Sequence, residues 1–377
     1  MTDSIQPNIE DNLIYLAGMA RSGTTVISRA LDLHPEVYAP ADETLFVEHV
    51  WAMRHHATDF LLRRTLFGSN GLHYAGFRQI LNRQPAAYRR SLANRIEEAF
   101  RSLSFRDLYS LYPHVYFLAF PGEKKAGEIR FWKDKSTVRE GFGLVAQHFP
   151  KTKFIFIVRN PLDAAKSQII HSFGLNNRNV RLESIRACDP SGSACYWFDM
   201  NRRIHAFRKA GRYNSFLIRY EDFVAEPYET ITRMFDFIGL SPLSRDFIDE
   251  YILDRKAVSN DPGKRSDSLS GVHNSSVMSH EEVLSPAQIE LISSITAPIA
   301  RTFGYQLPPH PNILKSALLT PLLSIPRKVL VLSRRLKPAF SWDGGPHRTN
   351  RFLRALSQKP PARRSKASQR SITRSSS

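Results

Sequence analysis

Leu13-Ile14-Tyr15-Leu16-Ala17-Gly18-Met19-Ala20-Arg21-Ser22-Gly23-Thr24-Thr25-Val26-Ile27 is the stretch from which the rest of the chain can be read. Leu13 to Ala17 is a short apolar run bounded by Gly18, which predicts a buried strand. Beyond Thr25, the residues Val26, Ile27, Ala30, Leu31 and Leu33 recur at helical spacing. His34-Pro35 ends that helix, because the residue before a proline avoids the right-handed helical region. Strand, glycine-containing turn and helix together aim backbone N–H groups and a helix dipole at an anion. Gly18 and Gly23 stand as the two glycines of a Walker A loop, but the position that should follow as Lys is Thr24. The charge sits instead on Arg21. A nucleoside triphosphatase uses that Lys on the β and γ phosphates, so its absence disfavours triphosphate hydrolysis. An arginine fork still suits a terminal tetrahedral oxyanion. By itself such a loop is also compatible with an ordinary strand-to-helix turn carrying a surface arginine.

Outward from this loop, Lys153 to Val158 reads as a second buried strand, closed by Asn160-Pro161, with a helix from Leu162. Ser215 to Tyr220 reads as a third strand, leading through Glu221-Asp222 into a helix that ends near Gly239. Pro286 opens a further helix running to Gly304. Strands separated by helices predict an α/β fold, a P-loop-type parallel β-sheet flanked by helices. Residues 44–130, where aromatics and arginine mix, read as a helical cap over the site. Arg159 falls at the carboxyl end of the second strand and Ser167 eight residues on. Ligands of open α/β sheets bind at that edge, so Arg159 and the first loop are expected to face one crevice. Two anion sites there suit a nucleotide phosphorylated at two places. Arg159 as a strand cap or a carboxylate's partner is the plain alternative.

The formal charge of +18 is uneven: residues 307–377 carry fifteen Lys/Arg against the single acid Asp343, leaving the body near +4. A basic tail on a near-neutral body points only weakly to nucleic acid. The tail begins at a linker with Pro308, Pro309 and Pro311, and its last part, from about 356, has the composition of a disordered segment. Residues 313–336 alternate aliphatic with basic side chains, which suits an anionic membrane surface or a docking helix, although Pro321 and Pro326 interrupt it. Cys188 and Cys195 alone make neither a disulfide framework nor a zinc signature. Asp3, Glu10 and Asp11 precede the first apolar run, unlike a secretory leader, so a cytoplasmic location is expected, with peripheral membrane contact through 313–336 as a variant.

The motifs in order resemble those of the sulfotransferases that use PAPS (3′-phosphoadenosine-5′-phosphosulfate). Arg21-Ser22-Gly23-Thr24-Thr25 after a strand resembles their 5′-phosphosulfate loop. Ile157-Val158-Arg159-Asn160-Pro161 through Ser167 resembles their 3′-phosphate motif. Ile218-Arg219-Tyr220-Glu221-Asp222-Phe223, the Phe237-Ile238-Gly239-Leu240 ending and Gly304-Tyr305 resemble further landmarks, so the likeness spans residues 12–305. Arg rather than Lys in the loop is closer to the Golgi-type and bacterial branches, including the tyrosylprotein sulfotransferases. The resemblance implies a catalytic domain over 1–306 followed by a basic extension over 307–377. It implies that Arg21, Ser22, Gly23, Thr24 and Thr25 bind the 5′-phosphosulfate, that Arg159 and Ser167 hold the 3′-phosphate, and that Tyr220 lies near the nucleotide. Lys135, in Phe131-Trp132-Lys133-Asp134-Lys135-Ser136-Thr137, aligns with a lysine that faces the donor, although the usual proline is absent. Glu43, in Asp42-Glu43-Thr44, aligns with the catalytic base, with Asp42 as fallback. An acid at a helix N-terminus is the plain alternative for both. His55 and His56 are weaker candidates.

The expected reaction is sulfuryl transfer from PAPS to an acceptor hydroxyl, with no metal, since Arg and Lys can neutralise the donor's oxygens. A glycan or glycolipid acceptor is favoured on the family branch, and the segments 44–130, 172–200 and 255–282 are expected to shape its pocket. Two other functions stay open: an atypical P-loop kinase, opposed by Thr24 and by a second strand ending in Arg159 rather than an acid, and a non-enzymatic polyanion binder using its tail, for which no specific nucleic acid is implied.

Overall fold

The computed structural model describes residues 9–39, 104–107, 109–110, 129–136, 141–172, 182–250 and 280–309. Among the described residues, five strands form one sheet: β1 (Leu13–Gly18), β2 (Val37–Tyr38), β3 (Phe131–Ser136), β4 (Lys153–Val158) and β5 (Ser215–Arg219). Their order is β2-β3-β1-β4-β5, every neighbouring pair parallel. β1 is central and buried along its whole length, which is why it reads as an unbroken apolar run.

Period-two alternation divides the sheet's side chains between two cores. Tyr15, Ala17, Trp132, Phe154, Phe156 and Val158 point to one face. There they meet Ile9 of α1 (Ile9–Asn12), α3 (Gly141–His148), α6 (Ser191–Lys209) and Phe303 and Tyr305 near the end of the described chain. Ile14, Leu16, Phe131, Ile155, Ile157 and Ile218 point to the other, covered by α2 (Thr24–Leu33), α8 (Pro227–Ile238) and Ile248 of α9 (Arg245–Ile248). Each such aliphatic side chain contributes about 1.5–3 kcal/mol on burial. α4 (Pro161–Ser172), α6 and α10 (Pro286–Ala300) pack together in a third cluster, which also takes Ile185 of α5 (Leu182–Arg186). α10 starts at a capping box of Ser285 and Gln288, and the Gln288 amide also donates to the carbonyls of Ile185 (2.9 Å) and Cys188 (2.8 Å).

The helix expected after β5 is divided in two, α7 (Tyr220–Ala225) and α8. Pro227 has no N–H and excludes Glu226 from helical geometry, so the chain turns there and restarts with proline at the first helical positions. The α10 helix stops at Ala300 and continues to Phe303 as a single 3₁₀ turn. Of the expected cap, residues 104–107, 109, 110, 129 and 130 are described. Phe105 and Tyr109 stack on one another and both pack at a tilt against Phe149, and the Tyr109 hydroxyl donates to the Asp134 carboxylate. The rest of the cap, the segment 255–279 and the basic extension, with its 313–336 stretch, lie outside the described residues. Residues 191–200 belong to α6, which sends Ala194, Trp197 and Met200 into the core. Cys188 and Cys195 are both half-buried and stand outside any disulfide among the described residues. Among the described residues no helix is long and apolar enough to cross a membrane.

Candidate active site

The loop leaving β1 is tightly determined. Gly18 has no room for a side chain, since a Cβ there would lie 2.6 Å from both Ile157 Cγ2 and the Ile157 carbonyl oxygen. That close approach lets β1 and β4 run side by side up to the carboxyl edge. Arg21 adopts φ 71, a left-handed conformation that costs a non-glycine residue about 1–2 kcal/mol. The Ser22 N–H donates to the Met19 carbonyl at 3.1 Å, closing the turn. Gly23, at φ 96, precedes Thr24 as the N-cap of α2, with no side chain capping the helix. The first N–H groups of α2 therefore keep their capacity for an external acceptor. Ser22 is 1% exposed, and its hydroxyl has no hydrogen-bond partner among the described residues, a cost that a bound oxyanion would relieve.

β4 lies beside β1 and delivers Arg159 to the same edge. Arg159 Nη1 donates to the Arg21 carbonyl at 2.9 Å, and its guanidinium lies 4.4 Å from the centre of the Tyr220 ring. Arg21 Nε donates in turn to Ser167 Oγ, on α4, at 3.2 Å. Arg21, Arg159, Ser167 and Tyr220, read from separate stretches, thus form one connected cluster, and the two expected anion sites adjoin. Burial, and then the neighbouring Arg159 charge, push the Arg21 guanidinium below its ordinary pKa. Two guanidinium groups held together in a half-buried pocket repel, and an anion between them offsets that repulsion. Tyr220 also closes over Gly23, where a Cβ would fall 2.6 Å from its ring.

β3 carries Lys133, Asp134 and Lys135, all buried. Lys133 Nζ donates to Ser28 Oγ of α2 at 2.6 Å, which places it on the α2 face. Lys135 lies on the same face, one strand repeat nearer the carboxyl edge and beside Leu16 of β1. That brings it roughly level with the first turn of α2, one helical turn before Ser28. Asp134 points the other way, to Tyr109. The Asp134 carboxylate therefore lies on the opposite face of β3 from Lys133 and Lys135. Glu43, Asp42, His55 and His56 lie outside the described residues.

Sequence reading missed several residues that hold this site. Trp197 of α6 donates from Nε1 to the Arg159 carbonyl at 2.9 Å; the spacing Ala194, Trp197, Met200, Ile204 is a helical stripe that could have revealed it. Asn160 Oδ1 accepts from the Leu162 N–H at 2.9 Å, capping the start of α4. Asp163, fully buried in the first turn of α4, lies 3.0 Å from His280 Nδ1 and 3.9 Å from Lys166 Nζ. Burial lowers the Lys166 pKa, and Asp163 opposes that shift.

A family model described as the sulfotransferase family matches residues 14–244, which take in β1 to β5, the loop and Arg159, Ser167 and Tyr220. Protein-tyrosine sulfotransferase 2 of Gallus gallus is 23% identical over 287 residues, 74% of this chain and 62% of that protein. The chain thus spans a little under two thirds of the length of that relative. Among solved structures, the sulfotransferase domain of the Synechococcus PCC 7002 olefin synthase is similar at 22% identity and a TM-score of 0.49, covering 80% of this chain and 98% of that one. The sulfotransferase domain from the curacin biosynthetic pathway is similar at 21% identity and 0.49, covering 79% and 99%. With the family match extending over well over half of its length, the chain belongs to the sulfotransferase family.

Proposed function

We propose that this chain transfers a sulfuryl group from PAPS to an acceptor hydroxyl. The observation that carries the reading is the junction of Arg21 and Arg159, two guanidinium groups brought from separate strand ends to one pocket beside a buried, unpartnered Ser22 hydroxyl. Such a pocket fits a nucleotide with anionic groups at both its 5′ and 3′ positions. The loop over Arg21–Thr25 and the N-terminus of α2 hold the 5′-phosphosulfate. Arg159 and Ser167 hold the 3′-phosphate, and Tyr220 lies beside the nucleotide. The donor supplies the sulfuryl group and departs as adenosine 3′,5′-bisphosphate. Lys135, Arg21 and the loop N–H groups meet the charge left on the 5′-phosphate. Glu43, with Asp42 as the fallback, takes the acceptor proton as the hydroxyl oxygen bonds to sulfur. A glycan or glycolipid acceptor is the reading we carry from the family branch, and a cytoplasmic enzyme is the setting, with peripheral membrane contact through 313–336 as a variant.

Calorimetric titration with adenosine 3′,5′-bisphosphate, 5′-AMP and ATP with magnesium tests the donor. Binding that is at least about tenfold tighter with the 3′-phosphate is expected, as a charge-assisted contact contributes about 1.5–3 kcal/mol. Tighter binding of ATP with magnesium would instead favour a kinase. For the base, Glu43→Gln is expected to cut turnover at least about a hundredfold while leaving bisphosphate binding unchanged; undiminished turnover would remove Glu43 from the role.

A further inference from the structure

Glu221 stands in the first turn of α7, where an acid needs no other reason than the helix dipole. Its carboxylate is nevertheless committed elsewhere. One oxygen accepts the Asn160 N–H at 2.8 Å. The other accepts the Tyr305 hydroxyl at 2.7 Å. Asn160 follows Arg159 directly and caps α4, the helix that carries Ser167. Tyr305 is 4% exposed, and its N–H donates to the Ala300 carbonyl at 3.1 Å after the turn that ends α10. Arg219 lies over its ring at 4.7 Å. Burial, and then the charge of Glu221, push the Tyr305 phenol above its ordinary pKa, so it stays a neutral donor. Preceding Glu221 in sequence, Tyr220 receives the Arg159 guanidinium on its ring. The two residues thus grip the β4 end from both sides: Tyr220 by the side chain of Arg159, Glu221 by the backbone of the next residue.

We infer that Glu221 is a positioning residue for the 3′-phosphate: bolted in place by Tyr305, it fixes the Arg159–Asn160 turn and the start of α4, so that Arg159 and Ser167 are presented together. This inference rests on the donor reading above. It deepens that reading by giving the last described turn of the chain, far from the loop in sequence, a part in donor recognition.

The test is the ratio of affinities for adenosine 3′,5′-bisphosphate over 5′-AMP, by calorimetry, in the full chain. A merely structural role would lower both affinities alike and leave the ratio alone. In Glu221→Ala the Asn160 N–H loses its acceptor, and the ratio is expected to fall about tenfold. Glu221→Gln keeps a carbonyl oxygen at that position and is expected to restore most of the ratio. Tyr305→Phe frees the carboxylate from its bolt and is expected to reduce the ratio about threefold. A ratio unchanged in Glu221→Ala, or a parallel loss of both ligands, overturns the inference. Should Glu221→Ala fail to fold, Tyr305→Phe decides: an unchanged ratio there overturns it equally. Absence of any 3′-phosphate preference in the wild type overturns the donor reading and takes this inference with it.

Discussion

The turn after β1 and the turn after β4 arrive at the same edge of the sheet, on neighbouring parallel strands, yet they are built differently. The first is made of backbone. Gly18 admits its neighbour strand, Arg21 and Gly23 take left-handed conformations, and no side chain among the described residues caps the start of α2. The second is made of one side chain and its supports. Arg159 is held through its guanidinium by Tyr220 and the Arg21 carbonyl, through its own carbonyl by Trp197, and through the next residue by Glu221. A backbone site recognises a shape and tolerates few changes of conformation. A side-chain site recognises one group and depends on partners scattered through the sequence. Changes in the first turn are therefore expected to damage all nucleotide binding, and changes in the second to damage discrimination.

The largest effect is expected from Gly23→Ala. The new Cβ would meet the Tyr220 ring at 2.6 Å in a backbone at φ 96. The left-handed penalty is about 1–2 kcal/mol and overpacking adds about 1–3 kcal/mol. Affinities for 5′-AMP and for adenosine 3′,5′-bisphosphate are both expected to fall by about a hundredfold, with their ratio roughly kept. Calorimetry on both ligands, with circular dichroism to establish folding, checks it. A selective loss of the bisphosphate would mean that the β1 loop, too, reads the 3′ end, and the contrast between the turns would collapse.

The same contrast explains what could be read from the sequence. β1, β4 and β5 were legible because they are short apolar runs ended by glycine, proline or a following helix, and the loop because its glycines stand at fixed spacing. β3 is the opposite case. Lys133, Asp134 and Lys135 make half of its residues charged, so no apolar pattern marks it as a strand. It is buried because Ser28, Tyr109 and the flanking strands receive it, and those partners are distant in sequence. Likewise Arg159 and Ser167 were legible as a local motif. Glu221 was visible only as part of a strand-to-helix segment, since its partner Tyr305 stands 84 residues away. Local signals reach as far as one turn of chain; the supports of a side-chain site do not lie within that range.

Arg159→Ala is the smaller and more discriminating change. It removes the guanidinium expected to meet the 3′-phosphate, and a charge-assisted contact of about 1.5–3 kcal/mol corresponds to a roughly 10- to 150-fold loss of bisphosphate affinity. The same guanidinium also donates to the Arg21 carbonyl, so the β1 loop loses one support. A single hydrogen bond to a neutral acceptor contributes about 0.5–1.5 kcal/mol, so 5′-AMP is expected to weaken by roughly 2- to 12-fold, less than the bisphosphate, which loses this support and the phosphate contact together. Arg159→Lys sharpens the point. It keeps the charge but lacks the planar fork that can stack on Tyr220 and donate to the carbonyl and a phosphate together. It is therefore expected to recover part of the bisphosphate affinity and little of the 5′-AMP affinity. Equal weakening of both ligands in Arg159→Ala would show that the β4 turn acts only as a brace for the β1 loop, and that discrimination at the 3′ position lies elsewhere.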